Sequence, residues 1–336
     1  MKKIINHPDA FVDETLEGIL LAHPDKLKAV DGNLRAMART CATKGKAGVI
    51  TGGGSGHLPT FLGYVGKGML DACAVGNVFA SPSAQVMLKC IKAADQGAGV
   101  ICLYGNYGGD RMNFEMASEL ADMEDIKVEH IVVSDDIASA PPENADGRRG
   151  VAGLFFAYKI AGAAADLMMS LSEVSEVTRR ALDNIRSIGV AVSPCILPQV
   201  GFPTFSIGAD ELEVGMGIHG EPGIETRRMM KADEIAEMML EKLTAEIHLD
   251  KGDRASILVN GLGATPREEL YIVYRKAAKI LIEKGVEIID PEIGEFATSM
   301  EMAGVSLSLL KLNDEELLRL YKHPASTPFY VKEASR

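Results

Sequence analysis

The sequence has 336 residues, a length that indicates about two domains. Hydrophobic residues make up 47% and charged residues 24% of it, which is enough to bury a full core and excludes a disordered chain. The net charge of −12 argues against a protein that binds the phosphate backbone of nucleic acids or an anionic membrane surface.

Apolar runs alternate with amphipathic stretches in the first half of the chain. Strands are predicted over 47–51, 72–75, 99–104 and 128–133, with helices over 83–95 and from the loop 105–110 to about residue 123. This alternation is typical of a largely parallel sheet covered by helices. Ligands of such sheets bind at the loops after the carboxyl ends of the strands, and the glycine-rich stretches fall at these places.

A long helical block is predicted over 150–186, after which the alternation restarts. Strands are predicted over 189–192, 212–218, 256–260, 286–289 and 305–310, with helices over 232–246 and 266–284. We therefore expect two α/β domains with mixed, largely parallel, helix-covered sheets. The N-terminal domain, 1–183, carries the glycine loop, and the C-terminal domain, 184–336, carries His219.

The sequence favours a cytoplasmic location. Its N-terminus lacks the apolar run and cleavage site of a signal peptide, and its richest apolar stretch, 150–169, is interrupted by Lys159 and Asp166. The cysteines are odd in number and widely spaced, which indicates reduced thiols rather than a disulfide framework or a zinc site. They are Cys41, Cys73, Cys90, Cys102 and Cys195.

The first motif, TGGGSGH over 51–57, directly follows a predicted strand. Consecutive glycines let backbone amides approach a phosphate or a polyol closely. The motif lacks the residues that a P-loop, a dinucleotide fingerprint or a nucleophile elbow would require after Gly56. Two interpretations remain: a ligand site that includes His57, or a strained turn with an incidental histidine.

The second motif, NYGGD over 106–110, also follows a predicted strand. Asp110 stands where an aspartate commonly caps the next helix. Its carboxylate could instead act as a base or bind a hydroxyl group at the rim of the sheet.

The third motif, GMGIHGEPG over 215–223, flanks His219 with glycines and must turn sharply. His219 and Glu221 have the spacing of half a zinc-deaminase motif, but the downstream cysteine pair is missing. A metal site is therefore disfavoured, and a neutral imidazole could act as a nucleophile towards a ketone. Arg148 and Arg149 could bind phosphate, but salt bridges are the more expected use of them.

In this order along the chain, the motifs resemble those of the DhaK family, the dihydroxyacetone-binding subunits of dihydroxyacetone kinases. The resemblance covers nearly the whole sequence, through the segments 3–6, 52–59, 79–82, 106–110, 148–152, 217–223 and 260–266. It implies that His219 holds the ketose as a hemiaminal, a bond that glycerol cannot form. It also implies that His57 and Asp110 are the acid/base residues. The substrate-binding residues implied are Gly54, Ser55, Gly56, His57, Gly105, Asp110 and His219.

The resemblance places the cofactors outside this chain. ADP or ATP with Mg would be bound by a separate nucleotide-binding subunit of the DhaL type, rephosphorylated in the phosphotransferase-linked systems by a phosphocarrier protein. This chain would hold no metal and no nucleotide, would contact neither nucleic acid nor membrane, and would form a homodimer. The implied activity is a phosphotransferase reaction of glycerol metabolism that yields dihydroxyacetone phosphate.

Two positions depart from the commonest pattern of the family. Gly105 stands where many members have lysine, and Leu58 stands where many have glutamate. These changes favour either a kinase subunit for another short ketose such as erythrulose, or a non-catalytic co-activator that binds dihydroxyacetone and a transcription factor. The presence of His57 and Asp110 favours the enzyme, because a sensor would need only His219 and a binding loop.

Overall fold

The computed structural model describes residues 2–334. The chain forms two compact units, each assembled from separate stretches. The first unit contains the chain up to Val133, Ala157–Arg180 and the chain from Arg319 onward; the second contains Ser134–Phe156 and Ala181–Leu318.

These units differ from the expected division at 183/184 in two long segments and in the three residues 181–183. The segment Ser134–Phe156 lies in the second unit, where the Ser187 amide donates a 2.8 Å hydrogen bond to the Asp135 carbonyl. The chain from Arg319 onward lies in the first unit, where the Lys26 ammonium donates a 2.7 Å hydrogen bond to the Thr327 carbonyl. Contacts between residues so distant in sequence leave no mark on local composition.

The described residues contain eight α-helices, fifteen strands and three short 3₁₀-helices. The α-helices are α1 (Phe11–Ala22), α2 (Ala84–Ala94), α3 (Gly108–Asp122), α4 (Leu154–Asp166), α5 (Leu171–Asp183), α6 (Ala232–Ile247), α7 (Arg267–Glu283) and α8 (Glu315–Lys322). The 3₁₀-helices are Pro8–Ala10, Leu62–Tyr64 and Pro142–Gly147. The strands are β1 (Leu27–Val30), β2 (Asn33–Arg39), β3 (Gly48–Ser55), β4 (Ala72–Val78), β5 (Val100–Gly105), β6 (Val128–Val133), β7 (Ile185–Ala191), β8 (Glu211–Val214), β9 (Glu225–Arg228), β10 (Arg254–Gly261), β11 (Glu287–Ile288), β12 (Glu292–Gly294), β13 (Gly304–Lys311), β14 (Ala325–Ser326) and β15 (Val331–Lys332).

The sheet of the first unit has the strand order β1-β2-β4-β3-β5-β6. Strands β4, β3, β5 and β6 are parallel to one another, and β1 and β2 add an antiparallel edge. Because β3 and β5 are parallel neighbours, their carboxyl ends, Ser55 and Gly105, lie at the same edge of the sheet. The sheet packs through Ile50, Cys102 and Tyr104 against Met87 of α2 and Phe114 of α3.

The sheet of the second unit has the order β11-β10-β13-β7-β8-β9, and β12 also pairs with β10. Here β10 is parallel to β11 and β12, whereas the other pairs are antiparallel. Val305, Leu307 and Leu309 alternate along β13 and enter the core with α6 and α7. The expected fold class, two α/β units with mixed sheets, is confirmed, and the parallel pairing is concentrated in the first sheet.

Two predicted elements have different bounds because of single backbone conformations. The helical block expected over 150–186 is two helices, α4 and α5, and Met168 between them takes a φ of +61°. The strand expected over 212–218 ends at Val214, because Gly215 takes a φ of +79° and turns the chain. Among the helices of residues 2–334, none is both long and apolar enough to cross a bilayer.

Candidate functional site

The glycines expected in a loop lie instead within β3, which continues to Ser55. The ladder to β4 pairs Gly53 with Val75 and then Ser55 with Val78, so Gly54 sits at a bulge. A Cβ on Gly54 would lie 2.7 Å from the Ala80 amide nitrogen. The missing side chain therefore lets the chain after β4 approach the end of β3.

His57 lies just beyond this strand and is fully buried. Its ring stacks on Phe79 with centroids 4.8 Å apart and planes 10° apart, and meets Phe61 edge-on at 5.9 Å. Phe79 and Phe61 have φ values of +56° and +71°, which non-glycine residues rarely adopt. The ring of His57 is thus held between two aromatic side chains whose backbones take strained conformations.

Asp110 was expected as the N-cap residue of the helix that follows it, and the structure places another residue there. Helix α3 begins at Gly108 with Tyr107 as its N-cap residue, and Asp110 is its third residue and is buried. A carboxylate in the first turn is stabilised by the helix dipole. The first turns of α3 pack against the segment after β4, since the side-chain amide of Asn113 donates a 2.8 Å hydrogen bond to the Pro82 carbonyl.

Gly105 is the last residue of β5 and is buried. Its carbonyl accepts a 2.9 Å hydrogen bond from the Tyr107 amide, so the chain turns tightly into α3. Leu58 follows His57 and is half-buried. In the first unit, the structure therefore brings the ends of β3 and β5, the stacked His57 and the first turn of α3 to one edge of the sheet.

His219 belongs to the second unit, in the turn after β8. Its Nδ1 lies 3.1 Å from one carboxylate oxygen of Glu221, and its backbone amide donates a 2.9 Å hydrogen bond to the other. The turn is closed further by the Gly217 amide, which donates to the Glu221 carbonyl at 3.0 Å, and by Gly220 with a φ of +82°. About a fifth of the His219 side chain is exposed.

Glu221 fixes the tautomer of this histidine. Burial raises the pKa of the Glu221 carboxyl, but the hydrogen bonds and positive charge of His219 outweigh burial and lower that pKa to about 2. The carboxylate is therefore ionised at neutral pH and can only accept a hydrogen bond, so Nδ1 of His219 carries the proton. In the neutral imidazole, the lone pair then lies on Nε2.

Sequence reasoning missed Glu221 and Phe79 as partners of the two histidines. The spacing of Glu221 from His219 was visible, but it was weighed only as part of a zinc motif. No group of three or more His, Cys, Asp or Glu side chains within residues 2–334 is arranged to hold a metal ion.

The two consecutive arginines form ion pairs within the second unit. Arg148 makes a bidentate pair with Glu246 at 2.7 and 2.8 Å, and Arg149 pairs with Asp136 at 2.7 Å. Of the cysteines, Cys41 is exposed and the other four are buried; burial raises the pKa of the Cys90 thiol to about 12. A buried thiol of this kind is not a reactive nucleophile.

The fold and these sites define a two-unit α/β protein with one buried histidine beside a glycine-rich strand and a second histidine on a glycine-flanked turn. The model of the Dak1 domain family matches residues 17–329. The chain belongs to this family.

Named relatives agree with this assignment. The chain is 46% identical over 327 residues to the dihydroxyacetone-binding subunit DhaK of PTS-dependent dihydroxyacetone kinase 1 from Listeria innocua, covering 97% of this chain and 99% of that protein. It is 42% identical to the L-erythrulose kinase of Pectobacterium atrosepticum over 99% of this chain but only 56% of the kinase. The solved dihydroxyacetone kinase operon co-activator Dha-DhaQ superposes with a TM-score of 0.88 at 32% identity, covering 95% of this chain and 98% of that one. The expected resemblance to DhaK-type subunits is confirmed.

Proposed function

We propose that this protein is the dihydroxyacetone-binding subunit of a dihydroxyacetone kinase and holds the ketose as a hemiaminal on His219. The observation that carries the proposal is the contact between Nδ1 of His219 and the ionised Glu221 carboxylate. It makes Nε2 the unprotonated nitrogen, which is the protonation state that a nucleophile towards a carbonyl carbon requires.

Adduct formation balances without an added reagent. Nε2 attacks the carbonyl carbon, the C=O π electrons move to the oxygen, and that oxygen takes up a proton. The ring becomes cationic as the N–C bond forms, and the Glu221 carboxylate beside Nδ1 stabilises this charge or accepts the Nδ1 proton. No atom is lost, so the protein gains the whole mass of the ketose.

Phosphoryl transfer would then use the first unit. One of two side chains, Asp110 or His57, would accept the proton of a terminal hydroxyl as its oxygen attacks the terminal phosphoryl group of a nucleotide triphosphate on the separate subunit, and the nucleotide diphosphate would leave. The burial of both side chains supports this assignment, because a dry environment strengthens such interactions. The glycines of β3 and Gly105 would leave room for the hydroxyls of the ketose.

The phosphoryl donor would come from a separate DhaL-type subunit carrying ADP or ATP with Mg. The PTS-dependent relative, which this chain matches over almost its full length, supports this arrangement. The L-erythrulose kinase is nearly twice as long as the region matched. A homodimer and a cytoplasmic location stay predictions.

Two other functions are supported by particular relatives. The L-erythrulose kinase and the absence of a side chain at Gly105 favour a kinase for a four-carbon ketose. The co-activator Dha-DhaQ favours a sensor that binds dihydroxyacetone without phosphorylating it. The presence of both His57 and Asp110 places the kinase subunit first.

Intact-protein mass spectrometry with dihydroxyacetone, alone and with a nucleotide-binding subunit, tests the proposal. We expect the mass to rise by that of the ketose in wild type and in Asp110→Asn, but not in His219→Ala. With the partner subunit present, only the wild-type adduct should disappear as phosphorylated product accumulates.

The control is His7→Ala, which changes an exposed histidine and should behave as wild type. An adduct that survives in His219→Ala would contradict the hemiaminal. A wild-type adduct that persists with every phosphoryl donor would instead identify the sensor, and equal loss of binding and turnover in Asp110→Asn would make Asp110 a structural residue.

A further inference from the structure

The two consecutive arginines of the sequence RRG bind different parts of the second unit. Arg148 is turned towards α6, where its guanidinium forms the bidentate pair with Glu246. Arg149 is turned towards the turn that carries His219: its Nη2 donates a 2.8 Å hydrogen bond to the Gly215 carbonyl. Arg149 therefore contacts the turn over 215–223.

The guanidinium of Arg149 connects this turn to a buried carboxylate. Its Nε lies 3.0 Å and its Nη2 2.7 Å from the same oxygen of Asp136. The side chain of Asp136 is 3% exposed and that of Arg149 is 14% exposed. The geometry fixes the guanidinium at two of its nitrogens, which a lysine ammonium could not reproduce.

Asp136 is itself held by the chain around it. Its backbone amide donates to the Arg149 carbonyl at 3.1 Å, and its other carboxylate oxygen accepts the Ala138 amide at 3.1 Å. The Arg149 amide donates to the Ser139 hydroxyl at 2.9 Å. The backbone and the side chain of Arg149 both bind the segment 136–139. These contacts fix the position from which the guanidinium reaches the turn.

The turn offers Arg149 two points of contact. Besides the hydrogen bond to Gly215, Nη1 of Arg149 would lie 2.5 Å from a Cβ on Gly217, and the Glu221 carboxylate would also collide with that Cβ. Arg149 and Glu221 therefore pack against the same glycine. Glu221 also binds both the amide and Nδ1 of His219, so Arg149 packs against the same glycine as the side chain that orients the imidazole.

This arrangement is costly for stability alone. Burial raises the pKa of the Asp136 carboxyl to about 6, Arg149 opposes that rise, and Asp135 adds to it. Buried ion pairs can often be replaced by apolar side chains at little cost to stability. Stability alone therefore does not explain this ion pair, whereas a role in orienting the turn does.

We propose that Arg149, anchored by Asp136, is a positioning residue that holds the turn 215–223 so that Nε2 of His219 can form the ketose adduct. The inference rests on the proposed function, since it concerns the same adduct. A displacement of about 1 Å at a reacting group can reduce a rate about 100-fold.

The test compares wild type with Arg149→Met, Arg149→Lys and Asp136→Asn, using Arg227→Met as the control. Arg227 is a half-buried arginine of β9 paired with Glu225. Adduct formation with dihydroxyacetone is followed by a mass-spectrometric time course, and the His219 tautomer by ¹⁵N NMR of the imidazole. Thermal unfolding of each variant reports its fold.

We expect Arg149→Met to slow adduct formation by about 10- to 100-fold and to shift the imidazole signals towards a mixture of tautomers, with cooperative unfolding retained. Arg149→Lys should fall between, because lysine can pair with Asp136 or reach Gly215 but not both. Asp136→Asn should resemble Arg149→Met, and Arg227→Met should match wild type.

A wild-type rate and tautomer in a folded Arg149→Met protein would overturn the inference. If Arg149→Met does not fold, Arg149→Lys decides: a wild-type rate and tautomer in that variant would overturn it equally. If wild type itself forms no adduct, the proposed function fails, and the tautomer signals alone then decide whether Arg149 positions His219.

Discussion

His219 and Glu221 show how one short contact selects the chemistry of a side chain. An isolated imidazole exchanges its proton between two nitrogens. Beside a carboxylate whose pKa is lowered to about 2, the proton stays on the facing nitrogen, and the proposed adduct would form on the other nitrogen. The same contact has a consequence for stability that can be measured without any substrate.

Glu221 should make the unfolding free energy depend on pH. Its pKa falls from 4.5 to about 2 on folding, so its stabilisation is complete above about pH 4.5 and lost as the pH falls through 2. Because the side chain is 32% exposed, we expect Glu221→Gln to cost about 1–2 kcal/mol at pH 7. Urea unfolding of both proteins at several pH values measures this difference, which should shrink below pH 4. A difference that stays constant would contradict the assignment.

Gly105 is the residue at which substrate choice can be tested. The chain turns directly into α3 there, so a side chain at this position would stand at the carboxyl end of β5. We expect Gly105→Lys to improve the use of dihydroxyacetone relative to erythrulose by about tenfold, because a cation adds charge and removes room. Adduct and turnover assays with both ketoses measure the ratio. An unchanged ratio would show that Gly105 does not select the substrate.

At the scale of elements, strand β3 explains where sequence patterns succeed and fail. Strand β6 and helix α6 could be predicted almost to the residue, because their apolar side chains recur with the strand and helix periods. The glycines of β3 gave no such signal, since three residues without side chains are more typical of loops. Gly53 packs against Phe61 and Gly54 against Phe79, and the positive φ values of these two phenylalanines could not be predicted from sequence.

Gly53 tests this account of β3. A Cβ at this position would run into the ring of Phe61, which itself meets the edge of His57. We expect Gly53→Ala to destabilise the protein by about 1–3 kcal/mol, measured by chemical denaturation. The control, Gly18→Ala in α1, has empty space around it and should stabilise by up to about 1 kcal/mol. Equal effects of the two changes would exclude crowding at Gly53.

The candidate site was partly predictable for the same reason. Histidines and aspartates next to glycines after predicted strands are local features, and they led to His57, Asp110 and His219. The Asp110 cap was wrong because α3 begins two residues earlier than Asp110 itself. The contact of Arg149 with Gly215 joins residues 66 positions apart, and no local pattern reveals such a contact.

At the scale of the whole molecule, the last segment completes the first unit. Lys159 is fully buried, and its ammonium donates a 3.1 Å hydrogen bond to the Leu320 carbonyl. His323 lies 3.0 Å from Asp166, and Lys67 and Ser326 exchange backbone hydrogen bonds of 3.0 and 2.9 Å. Removal of this segment would therefore take partners from α4 and from the segment around Lys67.

A chain that ends at Leu318 tests this dependence. We expect it to lose cooperative unfolding in the first unit, because a buried ammonium that loses an acceptor is costly. A chain that ends at Lys332 is the control and should unfold as the full chain does. Circular dichroism and hydrogen exchange over 27–133 measure the effect, and native protection in the shorter chain would contradict it.

The alternation of the chain between the two units also bears on inheritance. A break in the coding sequence anywhere between codons 135 and 318 leaves pieces of each unit on both sides. A single crossover within this region therefore cannot separate the two units from each other. We expect the two units to be inherited together, as one module.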